Sequence, residues 1–297
     1  MDKLHLMKVF IAVAEALSFA AAARNLSMSP PAVTRAITTL ENHLKTKLLI
    51  RTTRHVRLSE AGLRYLEDVK RICQTIVEAD EVAMGVNAEP RGHLTITAPA
   101  LFGKMYVLPG MIDYLQRNPA MSVSALLLDR VVSMLDEGVD VAIRIGELAD
   151  SSMNAIRVGQ VRRVLCASPN YLEQHGTPKN LTELSTHTLI TASNIGNLWK
   201  FGDQSSATRL QIQPRLSVTT HDAAIDAAIH GLGITRVLSY QIAASLDSGS
   251  LSTLLDDYQP PSMPIHILHS EGRHTSAKVR AFVDMMVRQL RENPALH

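Results

Sequence analysis

The sequence predicts a multidomain chain: a mainly α winged helix-turn-helix head, one long linker helix, and a C-terminal α/β body in two lobes. Three observations carry this. The stretch SFAAAARNLSMSPPAVTRAITTLENHL, Ser18 to Leu44, reads as two helices joined by a tight turn. An apolar period of three and four runs almost unbroken from Ser59 to about residue 86. From Gly92 onward, short β-branched runs alternate with helical ones. A chain of 297 residues is long enough for roughly two domains at about 150 residues each.

The head begins with residues 3–16, where Leu4, Met7, Val9, Phe10, Val13 and Ala14 fall at helical spacing. Ser18 is placed to cap a short helix through four consecutive alanines, small side chains that let a second helix cross closely. Ser29 caps again, and Pro30 and Pro31 occupy a first turn whose N–H groups have no helical partner anyway, so the next helix starts at about Pro30. On it Ala32, Val33, Ile37, Leu40 and Leu44 form a core-facing stripe. Ser29, Pro30, Pro31, Thr34, Arg35 and Thr38 fall on the other side. Arg35 suits a guanine edge or a phosphate, and Thr34 and the proline rings suit a thymine methyl, so this face is the candidate reader of a major groove.

Charge agrees with that reading. The net charge is +2, yet residues 1–58 hold nine basic and three acidic side chains, so the head carries +6 and the remainder −4. A basic head on an acidic body directs the head at a polyanion. After Leu44, the order Leu48 to Arg51, Thr52 to His55, Val56 to Leu58 reads as strand, basic turn, strand, a wing placing Arg51, Arg54 and Arg57 near phosphates or a minor groove. Ser59 caps the long helix and Glu60 favours its positive end. Its stripe, Leu63, Leu66, Val69, Ile72 and Ile76, needs a partner, and a second copy of the helix is the simplest one.

Cys73 and Cys166 lie far apart in dissimilar contexts, which argues against a disulfide framework and for a reducing, cytoplasmic setting. The N-terminus lacks an export signal, and no apolar run reaches the roughly 18 residues of a membrane span. Among twelve histidines, His266 and His269 are three apart on an expected strand, hence on opposite faces, and no metal-binding spacing occurs. Gly231-Leu232-Gly233 ends a helix and is no dinucleotide fingerprint. With no phosphate loop, nucleophile elbow or paired carboxylates either, no cofactor, metal or catalytic residue is expected. The alternative class is a small-molecule enzyme or ligand-binding module built on the α/β body alone.

In the body, strands are expected at 93–97, 121–128 and 140–145, with helices at 104–116 and 131–137. A second set starts near Val164 with VLCAS, a helix from Asn170 to His175, LITAS, LSVTT, a helix from Asp222 to His230, Ile234-Thr235 and a helix from Ser239. Ile265 to Leu268 and an amphipathic helix from Ala277 to Leu290 close the chain. The expected boundaries are 1–58 for the head, 59–90 for the linker and 91–297 for the body.

The order of SFAAAARNLSMSPPAVTRAITTLE, LLIRTTRHVRLSEAG, a long helix and an α/β body resembles the LysR-type transcriptional regulators over the whole chain. The stretches Asp140 to Ser152 and Arg162 to Leu181 resemble one large subgroup of them. The resemblance implies a homodimer or homotetramer on double-stranded promoter or operator DNA, and a two-lobed body of periplasmic-binding-protein type. Lobe I would cover about 91–161 and 267–297, lobe II about 162–266, with an unidentified small effector in the cleft. Because ligands in doubly wound sheets bind beyond the carboxyl ends of strands, the candidate effector residues are Ala100, Leu101, Phe102, Asp129, Arg144, Ser193, Thr219, Thr220, His221 and Thr235. Two departures stand out. Pro30 replaces a frequent base-contacting glutamine, and Lys45 replaces a glycine at the end of the recognition helix, where a left-handed backbone would be strained.

Overall fold

A computed structural model describes residues 2–51, 56–84, 89–148, 154–192, 197–202, 208–269 and 276–297. The chain divides into two compact units, 1–88 and 89–297. The first holds helices α1 (Lys3–Ala16), α2 (Phe19–Asn25) and α3 (Pro30–Leu44), strands β1 (Leu49–Arg51) and β2 (Val56–Leu58), and helix α4 (Glu60–Met84). Side-chain caps set the helix starts. Ser18 Oγ accepts from Ala21 N, Ser29 Oγ from Ala32 N and Ser59 Oγ from Gly62 N. Lys45 ends α3 at φ 53°, the strained left-handed conformation, with its N–H directed to the Asn42 and Glu41 carbonyls.

The core of this unit joins Val9, Phe10 and Val13 of α1 with Ala22 and Ala23 of α2, and with Val33, Ala36, Ile37 and Leu40 of α3. Helix α4 starts against it. Ser59 Oγ donates to the Lys47 carbonyl, and Gly62 sits where a Cβ would strike the backbone oxygen of Leu48, so no larger residue fits there without moving the wing. Along α4, Val69 is fully buried in the head core, and Tyr65, Leu66 and Cys73 pack against it. This corrects the expected self-pairing stripe. Burying Val69 contributes about 1.5–3 kcal/mol to the head, so neither it nor the partly buried Leu66 is free for another copy. Among the described side chains, the large apolar ones that α4 leaves exposed are Leu63, Ile72 and Ile76, at 55%, 44% and 37%.

The second unit opens with β3 (Gly92–Ala98), a short α5 (Ala100–Phe102), a wide turn at Gly103–Val107, α6 (Leu108–Arg117), β4 (Met121–Leu127), β5 (Val141–Ile145) and β6 (Asn154–Val161). The second lobe contains β7 (Arg163–Ala167), α7 (Pro169–His175), β8 (Leu189–Ala192), β9 (Leu198–Phe201), β10 (Thr208–Gln211), β11 (Leu216–Val218), α8 (His221–Ile229), β12 (Ile234–Leu238), α9 (Ala243–Asp247) and β13 (Ser252–Leu254). Strand β14 (Met263–His269) and α10 (Ala277–Arg291) return to lobe I.

Both lobes carry a five-stranded mixed sheet, in the orders β4-β3-β5-β14-β6 and β11-β8-β12-β7-β13. In each, four strands run in one direction and the fourth in order, β14 or β7, runs against them. The parallel sheets implied by the α/β alternation are corrected by β7 and β14, each antiparallel to both of its neighbours, while β9 and β10 form a separate antiparallel pair. The lobe boundary also moves: β14 joins lobe I from Met263 and not from residue 267. The expected helix at 131–137 is a turn, held by the Arg130–Glu137 pair at 2.7 and 2.8 Å.

Lobe I packs α6 and α10 on one sheet face through Met111, Tyr114, Phe282, Val283 and Met286. The buried Lys278 of α10 donates to the His93 carbonyl at 2.7 Å and to Asp140 Oδ1 at 3.2 Å, while Asp140 Oδ2 accepts from Thr95 N at 2.7 Å. A charge is tolerated there because it is paired and hydrogen-bonded.

Candidate functional site

Two sites emerge, one in each unit. On α3 the side chains of Val33, Ala36, Ile37, Leu40 and Glu41 are buried. Ser29, Pro30, Pro31, Arg35, Thr38, Thr39, Asn42 and His43 are exposed, with Thr34 half-buried. Arg35 makes no ion pair or hydrogen bond among the described residues, so its guanidinium donors are open to an external acceptor. Thr38 Oγ1 donates to the Thr34 carbonyl at 2.9 Å, which leaves its oxygen as an acceptor only. In the wing, Ile50 is paired opposite Arg57 and both are exposed, so Arg57 shares the outward face. Arg54 and the Arg51 side chain lie outside the described residues.

One residue holds the wing to the reading helix. Glu41 is buried and accepts from Leu48 N at 2.9 Å, Leu49 N at 3.1 Å and Lys47 Nζ at 2.8 Å. Burial alone would raise its pKa, but the Lys47 ammonium and the two amide N–H groups outweigh that and hold it below the usual glutamate value. Sequence reasoning missed it, because nothing local identifies the amides that it meets seven and eight residues on.

In the body, a cavity of about 250 Å³ opens between the lobes, smaller than the roughly 300–1,000 Å³ of drug-sized pockets. Lobe I supplies Asp129 and Arg144, and lobe II supplies Arg163, Thr219 and His221. Pro99, Leu128, Ile145, Leu238 and Met263 give it apolar walls. Asp129 Oδ1 accepts from Ala100 N at 2.9 Å, so the first amide after β3 already faces an internal carboxylate. Arg144 Nη2 donates to the Val132 carbonyl at 2.9 Å. Burial lowers the pKa of His221, with Asp129 pulling it up and Arg163 pushing it down, so the imidazole is neutral at pH 7. Its Nδ1 is buried without a hydrogen-bond partner among the described residues.

Comparison with known proteins bears on both sites. Residues 4–63 match the model of the bacterial regulatory helix-turn-helix protein, lysR family, and residues 87–291 match the LysR substrate binding domain. The chain belongs to the LysR-type transcriptional regulators. An uncharacterized HTH-type transcriptional regulator of Haemophilus influenzae is 31% identical over 281 residues, covering 94% of this chain and 98% of that one. An HTH-type transcriptional repressor of Pseudomonas aeruginosa is 30% identical over 300 residues, covering 100% and 95%. Among solved structures, CrgA, a LysR-type transcriptional regulator from Neisseria meningitidis, superposes with a TM-score of 0.62 at 28% identity, covering 97% of this chain and 99% of that one. The full-length Vibrio cholerae virulence activator AphB gives 0.61 at 26%, with the same coverage.

The effector residues expected of this LysR-type regulator divide sharply. Asp129, Arg144, Thr219 and His221 line the cavity. Phe102 does not: it is fully buried, 5.1 and 5.2 Å from the rings of Tyr106 and Tyr240. Thr235 is also fully buried and donates to the Ile190 carbonyl at 3.2 Å inside the sheet. Leu101 packs against the core of lobe II, and Ala100 reaches the site only through its amide. Thr220 is exposed at the start of α8 and is not part of the lining, and Ser193 lies outside the described residues. Arg163, Tyr240, Gln241 and Met263 line the cavity without having been expected to.

Proposed function

We propose that this LysR-type regulator acts in the cytoplasm as a homodimer or homotetramer. It reads double-stranded promoter or operator DNA with the exposed face of α3 and steadies itself on phosphates with the wing. The observation that carries this is Arg35, exposed and without a partner among the described residues, on a face otherwise made of Ser29, Pro30, Pro31, Thr38, Thr39, Asn42 and His43. Ser29, Pro30, Pro31, Thr34 and Thr38 complete the base-facing set, and Arg51, Arg54 and Arg57 the phosphate-facing one. The body is a sensor and not a catalyst, its cleft holding a small effector that acts through unequal affinity for different lobe arrangements. Among the described residues, no helix is long and apolar enough to cross a membrane.

Arg35→Ala is expected to lower binding to the cognate site by about 1–3 kcal/mol, most strongly against sequence variants of one base pair. Arg57→Ala is expected to weaken all sequences alike and to reduce the salt slope by about 0.9. Mobility-shift titrations at several salt concentrations separate the two. Parental affinity in both variants would remove the groove assignment, and catalysis by the body without any DNA binding would favour the enzyme reading.

Self-association is assigned to the exposed part of the α4 stripe, Leu63, Ile72 and Ile76, large apolar side chains that the head leaves open among the described residues. Ile72→Asp places a charge in that seam and is expected to give monomers with reduced operator affinity. Sedimentation equilibrium checks it, and an unchanged oligomer would move the interface elsewhere.

A further inference from the structure

Two arginines, one from each lobe, line the cleft. Arg144 rises from β5 of lobe I and Arg163 from the start of β7 of lobe II, and both line the cavity. Neither forms an ion pair among the described residues. Arg144 gives one N–H to the Val132 carbonyl, and Arg163 makes no side-chain hydrogen bond there. The other charges near the cavity are already engaged. Arg130 is held bidentately by Glu137, and Asp129 takes the Ala100 amide. Counting one carboxylate against two guanidinium groups, with His221 neutral, the cavity keeps an excess of one positive charge.

We propose that the ligand of this cleft is a small hydroxy-monocarboxylate. Its carboxylate is clamped between Arg144 and Arg163 from opposite lobes, and its hydroxyl meets the unpartnered Nδ1 of His221. The proposal rests on the reading of the cleft as the effector site and adds the chemical class and the anion clamp. One negative charge neutralises the excess, and a second would meet Asp129 without a cation left for it. A hydroxyl fits His221 because it can donate or accept as the neutral imidazole requires. The position beside the Ala100 amide is closed to the ligand's carboxylate, since the Asp129 carboxylate occupies it. Burial lowers the pKa of Arg163, the mark of a cation held away from water without compensation. A clamp made by one residue from each lobe also ties binding to lobe closure, because the second arginine contributes only when the lobes approach.

The test uses the full chain and two matched pairs, lactate with lactamide and mandelate with mandelamide, in titration calorimetry. At least one carboxylate is expected to bind about tenfold or more tightly than its amide, the scale of a charge-assisted pair. Arg163→Gln is expected to abolish that preference while raising the unfolding temperature of the ligand-free protein, since it removes an unanswered charge. Arg163→Lys, which keeps the charge but not the fork, is expected to retain part of the preference. Equal binding of acid and amide, parental acid binding by Arg163→Gln, or no binding by either acid would overturn the proposal. Thr219→Trp distinguishes the two levels, because it fills the cavity from an exposed position. Where the parent binds acid and amide equally, their joint loss in that variant keeps the cleft and faults only the clamp, whereas undiminished binding faults the cleft itself.

Discussion

Glu41→Ala is expected to destabilise the head by about 2–4 kcal/mol and to abolish operator binding even though Glu41 faces away from DNA. The carboxylate makes three charge-assisted hydrogen bonds, each of which typically contributes about 1.5–3 kcal/mol, and its removal leaves the Leu48 and Leu49 amides buried without partners. Those amides lead into β1, so the wing loses its fixed position relative to α3, and Arg57 with it. Glu41→Gln keeps one acceptor and is expected to lose roughly half as much. The pH dependence follows from the lowered pKa. A carboxylate with a depressed folded value contributes stability that is fully present above its unfolded value of 4.5 and is lost as pH falls through the lower folded value. Denaturation of the parent from pH 7 downward should show this acid weakening, and Glu41→Gln should flatten it. A variant as stable as the parent at neutral pH, with an unchanged acid profile, would contradict the role given to Glu41.

Lys278→Ala is expected to cost the body about 3 kcal/mol, near the lower end of what breaking a buried ion pair costs, because Asp140 keeps some contact with solvent. Lys278 ties the first turn of α10 to β3 through the His93 carbonyl and to the start of β5 through Asp140. Its own carbonyl accepts from the Tyr114 hydroxyl of α6 at 2.9 Å. Losing the ammonium therefore loosens the segment by which the chain returns to lobe I. Lys278→Met restores the buried stem without the charge and is expected to recover only the packing share. Urea denaturation of the three proteins measures this, and equal midpoints would show that the pair contributes nothing net.

How much of this was legible beforehand depended on the range of the interaction. Ser18, Ser29 and Ser59 were readable as caps because a cap and the amide it serves lie three residues apart, and Pro30 marked the start of α3 for the same local reason. The exposed face of α3 followed from helical period alone, with only Ala36 and Glu41 added to the buried side. The α4 stripe was read correctly as apolar and wrongly as one surface. Periodicity says that a face must be buried, not by what, and the head core, with α1 packed on α4, covers Val69 before any second copy could.

The effector cleft shows the same division. Asp129, Arg144, Thr219 and His221 were found from the rule that ligands sit beyond the carboxyl ends of strands. That rule misses Arg163 and Met263, which begin β7 and β14, because those strands run antiparallel and bring their first residues to the cleft: Arg163 is paired with Leu238 and Ile265 with Ile145. Phe102 and Thr235 failed for the opposite reason, since a strand end names a position but not the side to which its side chain turns. The amino-acid sequence by itself determined the family, the helices of the head, the caps and the exposed face of α3, and the last three rest on contacts within a few residues. Tertiary structure alone decided which residues of α4 the head buries, that Asp129 fills the amide after β3, and that Arg163 joins Arg144 in lining one cavity. Those depend on strand direction and long-range pairing, which leave no periodic trace along the chain.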